Sequence, residues 1–252
     1  MPAVSAIPVF RRRSAALAAL PVLLGAALWA PACAQEEVRP RIERLDSMDA
    51  RVQGCVTCHG QQGQGTANGY YPRIAGKPAG YLYNQLLAFR DGTRRYAPMN
   101  YLVAYLPDAF LREMAEHFAA QRPPYRPQNP PPADEATLAR GRALVSTGDA
   151  ARGIPACAAC HGAGLAGMDP GIPGLLGLRP TYIAAQLTRW RVGERRAAEP
   201  DCMKRIALRM DESDIAAVAS WLARQSPAQA AAPEPAKLNR MPLACGSQQA
   251  RS

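Results

Sequence analysis

Cys55-Val56-Thr57-Cys58-His59 recurs as Cys157-Ala158-Ala159-Cys160-His161, 102 positions further on. In each stretch the two cysteines stand three residues apart, so one helical turn points both thiols the same way, and a histidine follows directly. That spacing lets the thiols form thioethers to two vinyl groups of one porphyrin while the imidazole reaches its iron. Two other chemistries fit less well. A zinc site would need a fourth ligand, yet each copy offers two cysteines and a histidine with no further Cys or His at zinc-ligand spacing. A thioredoxin-like pair needs a β-α-β setting, and no alternating run of β-branched residues appears. The motifs therefore predict two covalently bound haems c, with Cys55, Cys58, Cys157 and Cys160 as thioether residues and His59 and His161 as axial ligands.

Working outward, the flanking sequence is duplicated too. Pro72-Arg-Ile-Ala-Gly76 matches Pro173-Gly-Leu-Leu-Gly177. Tyr81, Gln85, Leu86, Phe89, Arg90, Gly92, Arg94 and Arg95 match Tyr182, Gln186, Leu187, Trp190, Arg191, Gly193, Arg195 and Arg196, each pair 101 positions apart. The copies are separated by a proline-dense stretch that cannot hold a helix. Inside each copy the apolar residues recur at helical spacing: Leu111, Met114, Ala115 and Phe118 in the first, Ile215, Val218, Ala219 and Leu222 in the second. Tyr81–Phe89 and Tyr182–Trp190 read as the middle helix of each copy. The predicted class is all-α: two tandem haem domains related by internal duplication. Residues 42–122 form the first, 123–133 the linker, 134–225 the second, and 226–252 a tail tethered at most by Cys245.

An electron-transfer haem needs a sixth ligand. Beyond His59 and His161 only His117 remains, so bis-histidine ligation of both irons is excluded; His117 is read as a solvated helix residue. Methionine is the alternative, and it raises the potential by favouring ferrous iron. Met99 lies 40 residues after His59 and Met203 lies 42 after His161, each between the Arg-rich end of the middle helix and the last helix of its copy. Met99 and Met203 are the predicted ligands. Met114 lies on an apolar helix face and reads as core, Met168 follows its motif too closely, and Met210 has no counterpart.

The termini speak to compartment. Arg11-Arg12-Arg13 followed by the apolar run Ser14–Ala30 and by Ala32-Cys33-Ala34 reads as a cleaved export signal over residues 1–34. Its removal lowers the formal charge from +10 to +7, a mild excess suited to an acidic protein partner or an anionic membrane surface. No basic tract interleaved with aromatics suggests nucleic acid. Of the seven cysteines, four serve the motifs and Cys33 leaves with the signal. Cys202 and Cys245 remain, in an oxidising compartment where a disulfide is the natural expectation and two free thiols the alternative.

Taken together, Cys-Val-Thr-Cys-His-Gly, Tyr-Pro-Arg-Ile-Ala-Gly, Ala-Pro-Met and Gly-Ile-Pro-Ala-Cys-Ala-Ala-Cys-His-Gly resemble the dihaem class I cytochromes c, the cytochrome c4 family, over about residues 48–224. The resemblance implies two cytochrome c folds facing each other, with haem propionates meeting between them. It also implies that Pro72 and Pro173 supply carbonyls that accept the ring N–H of the haem histidines, fixing the imidazole and raising its basicity. The repeated arginines would either neutralise propionates or form plain solvated helix ends. The chain departs from the pattern in the first copy, which lacks the Gly-x-x-Leu first helix that Gly141-Arg-Ala-Leu144 supplies in the second. It departs again at Cys202, beside Met203, and in the tail.

The expected function is a non-enzymatic periplasmic one-electron carrier between a respiratory donor complex and a terminal oxidase or reductase, loosely membrane-associated at most and without a small-molecule substrate. The alternative is the cytochrome subunit that accepts electrons from a dedicated periplasmic dehydrogenase. A dihaem peroxidase is disfavoured, because it needs an open coordination site.

Overall fold

The computed structural model describes residues 46–227, 232–236 and 241–248. The export signal expected over residues 1–34 and parts of the tail lie outside these residues. Among the described residues no helix is long and apolar enough to cross a membrane.

Among the described residues ten α-helices follow one another: α1 (Met48–Arg51), α2 (Gln53–His59), α3 (Ala79–Arg90), α4 (Ala97–Val103), α5 (Asp108–Ala120), α6 (Glu135–Ser146), α7 (Cys157–His161), α8 (Pro180–Arg191), α9 (Cys202–Ala207) and α10 (Glu212–Leu222). The duplication is explicit, with α2–α5 answered by α7–α10. In the first half α3 packs on α5; in the second α8 and α6 both pack on α10. Leu82, Leu87, Phe89, Leu111, Met114 and Phe118 fill the first core, and Leu144, Ile183, Leu187, Trp190, Ile215 and Leu222 the second. Each such side chain, buried, contributes about 1.5–3 kcal/mol of transfer free energy.

Local chemistry sets the helix ends. Asp134 and Asp201 cap α6 and α9 by accepting from the Thr137 and Lys204 amides, and Asp211 forms a reciprocal capping box with Asp214 at α10. The haem-motif helices stop at Gly60 and Gly162, whose φ angles of 81° and 85° favour glycine. The opening helix of the first half is only the short α1, whereas α6 runs three turns and presses on α10. At that crossing a Cβ on Gly141 would come within 2.2 Å of the Ala217 carbonyl oxygen, so glycine is what permits the approach.

Two features depart from the sequence reading. A two-residue antiparallel ribbon, β1 (Gly167–Met168) with β2 (Ile172–Pro173), interrupts the otherwise helical second half. The tail is also held at more points than Cys245. Glu234 pairs with β1 alongside Met168, and its carboxylate accepts from the Ala163 amide at 2.6 Å. Gln248 accepts from Gly171 N–H at 2.7 Å, and the Ser247 carbonyl accepts from Asn84 of the first half at 3.3 Å. Cys202 and Cys245 are disulfide-bonded, with Cα atoms 5.0 Å apart.

Candidate haem sites

In each half the motif helix presents its histidine to a proline carbonyl. His59 Nδ1 lies 2.9 Å from the Pro72 oxygen, and His161 Nδ1 lies 2.7 Å from the Pro173 oxygen. A carbonyl only accepts, so Nδ1 carries the proton and the Nε2 lone pair is left for a metal. Both imidazoles are buried. Burial lowers the His59 pKa, the bond to Pro72 opposing and Arg94 assisting. Burial likewise takes His161 down to about 4, against the bond to Pro173 and with Lys77 adding to the fall. Each ring is therefore neutral near pH 7, as a ligand nitrogen must be.

The motif cysteines are unpaired and half-buried. Burial pushes the Cys157 thiol up to about 12 and raises that of Cys55, with Cys58 adding to the rise. Cys55 and Cys157 are thus protonated thiols, suited to addition across a vinyl group rather than to redox cycling.

Met99 sits in α4 and Met203 in α9, each partly buried against the core of its own half. Three further methionines are packed away: Met114, with its sulfur 4.0 Å from Cys55 Sγ, and Met168 and Met210, at 1% and 4% exposure. His117 is less solvated than its sequence position suggests. Its side chain is 13% exposed, within 3.8 Å of Asp49 and edge-on to Phe118.

Of the repeated arginines, Arg94 and Arg195 are the buried pair. They form an antiparallel bridge between the halves. Arg94 donates to Gln85, Gln186 and the Tyr182 hydroxyl at 2.9, 3.0 and 3.1 Å. Arg195 donates to Gln186, Gln85 and the Tyr81 hydroxyl at 2.9, 2.9 and 3.4 Å. Burial and the Arg94 charge bring Arg195 down to about 10, still a cation at neutral pH. The remaining repeats behave as ordinary surface groups: Arg90 pairs with Asp108 at 2.6 Å, and Arg95 and Arg196 are exposed.

These residues fit a haem in each half. One turn of helix carries two free thiols and a histidine with an available Nε2. Among the described residues neither buried guanidinium forms an ion pair with a carboxylate, and Arg195 Nε and Trp190 Nε1 are buried donors without acceptors. Arg195 lies 3.8 Å over the Trp190 ring, so these two orphaned donors belong to one locality. Anionic propionates are the acceptors that such a site lacks.

The comparisons agree with this geometry. Residues 50–116 match the cytochrome c family model. The chain is 36% identical to the thiosulfate dehydrogenase electron acceptor of Thiomonas intermedia over 80% of its own length and 88% of that protein's. It is 36% identical to cytochrome c4 of Pseudomonas aeruginosa, over 69% of this chain and 84% of the other. Among solved structures it superposes on the thiosulfate dehydrogenase TsdBA of Marichromatium purpuratum with a TM-score of 0.61 and 33% identity, covering 68% of this chain but only 36% of that longer one. A duplicated helical fold, two CxxCH motifs in register and relatives matched across both halves place the chain in the cytochrome c4 family, the electron carriers that hold two covalently bound haems c.

Proposed function

We propose that the chain is a periplasmic relay that is not itself an enzyme, passing single electrons from a donor protein to an acceptor through two His–Met haems. His59 with Met99 would hold the first iron and His161 with Met203 the second. Bound haem supplies the chemistry, a reversible one-electron Fe(III)/Fe(II) change. This chain's residues orient the ligands, exclude water and place cations. The carrying observation is the matched pair of histidine–carbonyl bonds, at Pro72 and Pro173, each in a half with one partly buried methionine on the helix after the arginines. A thioether ligand and a buried imidazole would leave no coordination position open, which suits electron transfer rather than turnover of a small molecule.

The test is optical. Protein matured in a periplasm should carry two haems per chain and show the far-red band of methionine bound to ferric iron. Replacing Met99 or Met203 singly should remove half of that band; a variant that keeps the whole band refutes its assignment.

A second reading, service to one dedicated dehydrogenase, draws support from relatives named as electron acceptors of thiosulfate dehydrogenase. It calls for reduction of this protein by a periplasmic thiosulfate dehydrogenase at rates well above those with unrelated donors. Equal rates with all donors would favour the general carrier.

A further inference from the structure

Lys77 belongs to the first half by sequence but sits at the second half's haem-histidine segment. Its side chain is buried, and its Nζ donates to the Gly174 carbonyl at 2.6 Å. Gly174 is the next residue after Pro173, whose own carbonyl holds His161 Nδ1 at 2.7 Å. The ammonium is thus one peptide away from the group that orients the second haem's histidine.

Among the described residues Lys77 has no ion pair. The charged and titratable groups facing it are Arg73 of its own loop and His161 of α7; the linker's Tyr125 shares with Lys77 a small cleft otherwise lined by uncharged residues. A buried cation without a counter-ion is costly to hold, so its position needs a reason beyond packing.

The duplication supplies a built-in control. At the 101-residue offset that relates the copies, the counterpart of Lys77 is Leu178. The Pro72 segment of the first half therefore lacks a matching lysine. Arg73, which follows Pro72, turns its guanidinium instead to the linker carbonyls of Pro123 and Pro124 and onto the Tyr125 ring.

A positive charge in a low-dielectric site stabilises the electron added to a nearby metal, and second-shell groups are established levers on haem potential. We infer that Lys77, reaching across from the first half, raises the reduction potential of the second haem through its charge beside the Pro173–Gly174 segment. The inference rests on His161 ligating that haem. It gives the second site a lysine charge that the Pro72 segment lacks and favours a single electron on the second half.

The experiment is a redox titration of the full-length dihaem protein, with the two haems told apart by their paramagnetically shifted NMR resonances. Burial and the Arg73 charge bring Lys77 down to about 7, so pH 6 keeps it charged. Lys77→Gln retains a donor for Gly174 but no charge. At a fixed ambient potential it should lower the ferrous-to-ferric ratio at the second haem about tenfold, a shift of about 59 mV for a one-electron couple. The first haem should move less than about twofold. Lys77→Met should reproduce the shift and Lys77→Arg should not. Two intact haems with an unchanged second potential in Lys77→Gln, or an equal loss in Lys77→Arg, would overturn the inference alone. A wild-type protein with one haem, or with a second haem that survives His161→Ala unchanged, would overturn the site reading beneath it.

Discussion

Arg94 and Arg195 face each other across the boundary between the halves, and each guanidinium is bound by the other half's glutamine as well as its own. Two buried like charges would ordinarily drive surfaces apart. Here the glutamine carbonyls and tyrosine hydroxyls receive their protons, and bound haem propionates would supply opposite charge. Arg195→Leu removes three charge-assisted bonds and leaves the Tyr81 hydroxyl without its donor. The expected loss is about 2–3 kcal/mol in denaturant unfolding. Because the arginines share both glutamines, the double variant Arg94→Leu/Arg195→Leu should lose less than the sum of the single losses.

The disulfide joining Cys202 to Cys245 spans 43 residues of sequence. Replacing both cysteines by serine frees that loop in the unfolded chain and is expected to cost about 2–4 kcal/mol. The folded state should respond locally as well. Gly246–Gln248, packed against Pro200 and Gly171, should become cleavable by protease while the haem helices stay protected. Unchanged stability and unchanged cleavage would show that the remaining contacts suffice to hold the tail.

Acid should act on the second half through Asp149. Its carboxylate accepts from Arg140 and Arg152 at 2.9 and 3.0 Å, and these guanidinium bonds hold its pKa at about 2. An unfolded aspartate titrates near 3.9, so the unfolded chain binds the proton first. The contribution is therefore complete above about pH 4 and disappears as pH falls toward 2. Asp149→Asn should lower the denaturation midpoint at pH 6 and flatten its fall between pH 4 and 2; a slope identical to wild type would exclude Asp149 as the source.

The haem motifs, the duplication and the middle helices were legible because each has a period or a fixed spacing. Helices α3 and α8 extend only one or two residues beyond the predicted spans. Long-range placement had no such signature. Of the repeated arginines, sequence could not tell that Arg94 and Arg195 would turn inward while Arg95 and Arg196 stayed exposed. The difference arises from the bridge that joins the halves, not from local pattern. Glu234, Ser247 and Gln248 lie in a stretch rich in alanine, glutamine and proline, and they dock on distant groups that only the folded chain presents: backbone of the second half for Glu234 and Gln248, and Asn84 of the first half for Ser247. His117 looked solvated because its neighbour Asp49 is 68 residues away in sequence. Lys77 gave one faint signal: it breaks the repeat, with leucine at the matching position.

The interlocked boundary also governs kinetics. Because each half's arginine is gripped by both halves, and Lys77 closes on Gly174, the two redox centres need not find one another by diffusion. Exchange between them is unimolecular, and its rate is indifferent to dilution. Encounters with outside partners remain bimolecular and fall off as the solution is diluted. A chain built this way can store two reducing equivalents and release them one at a time, with internal equilibration as the step that no change of protein concentration can slow.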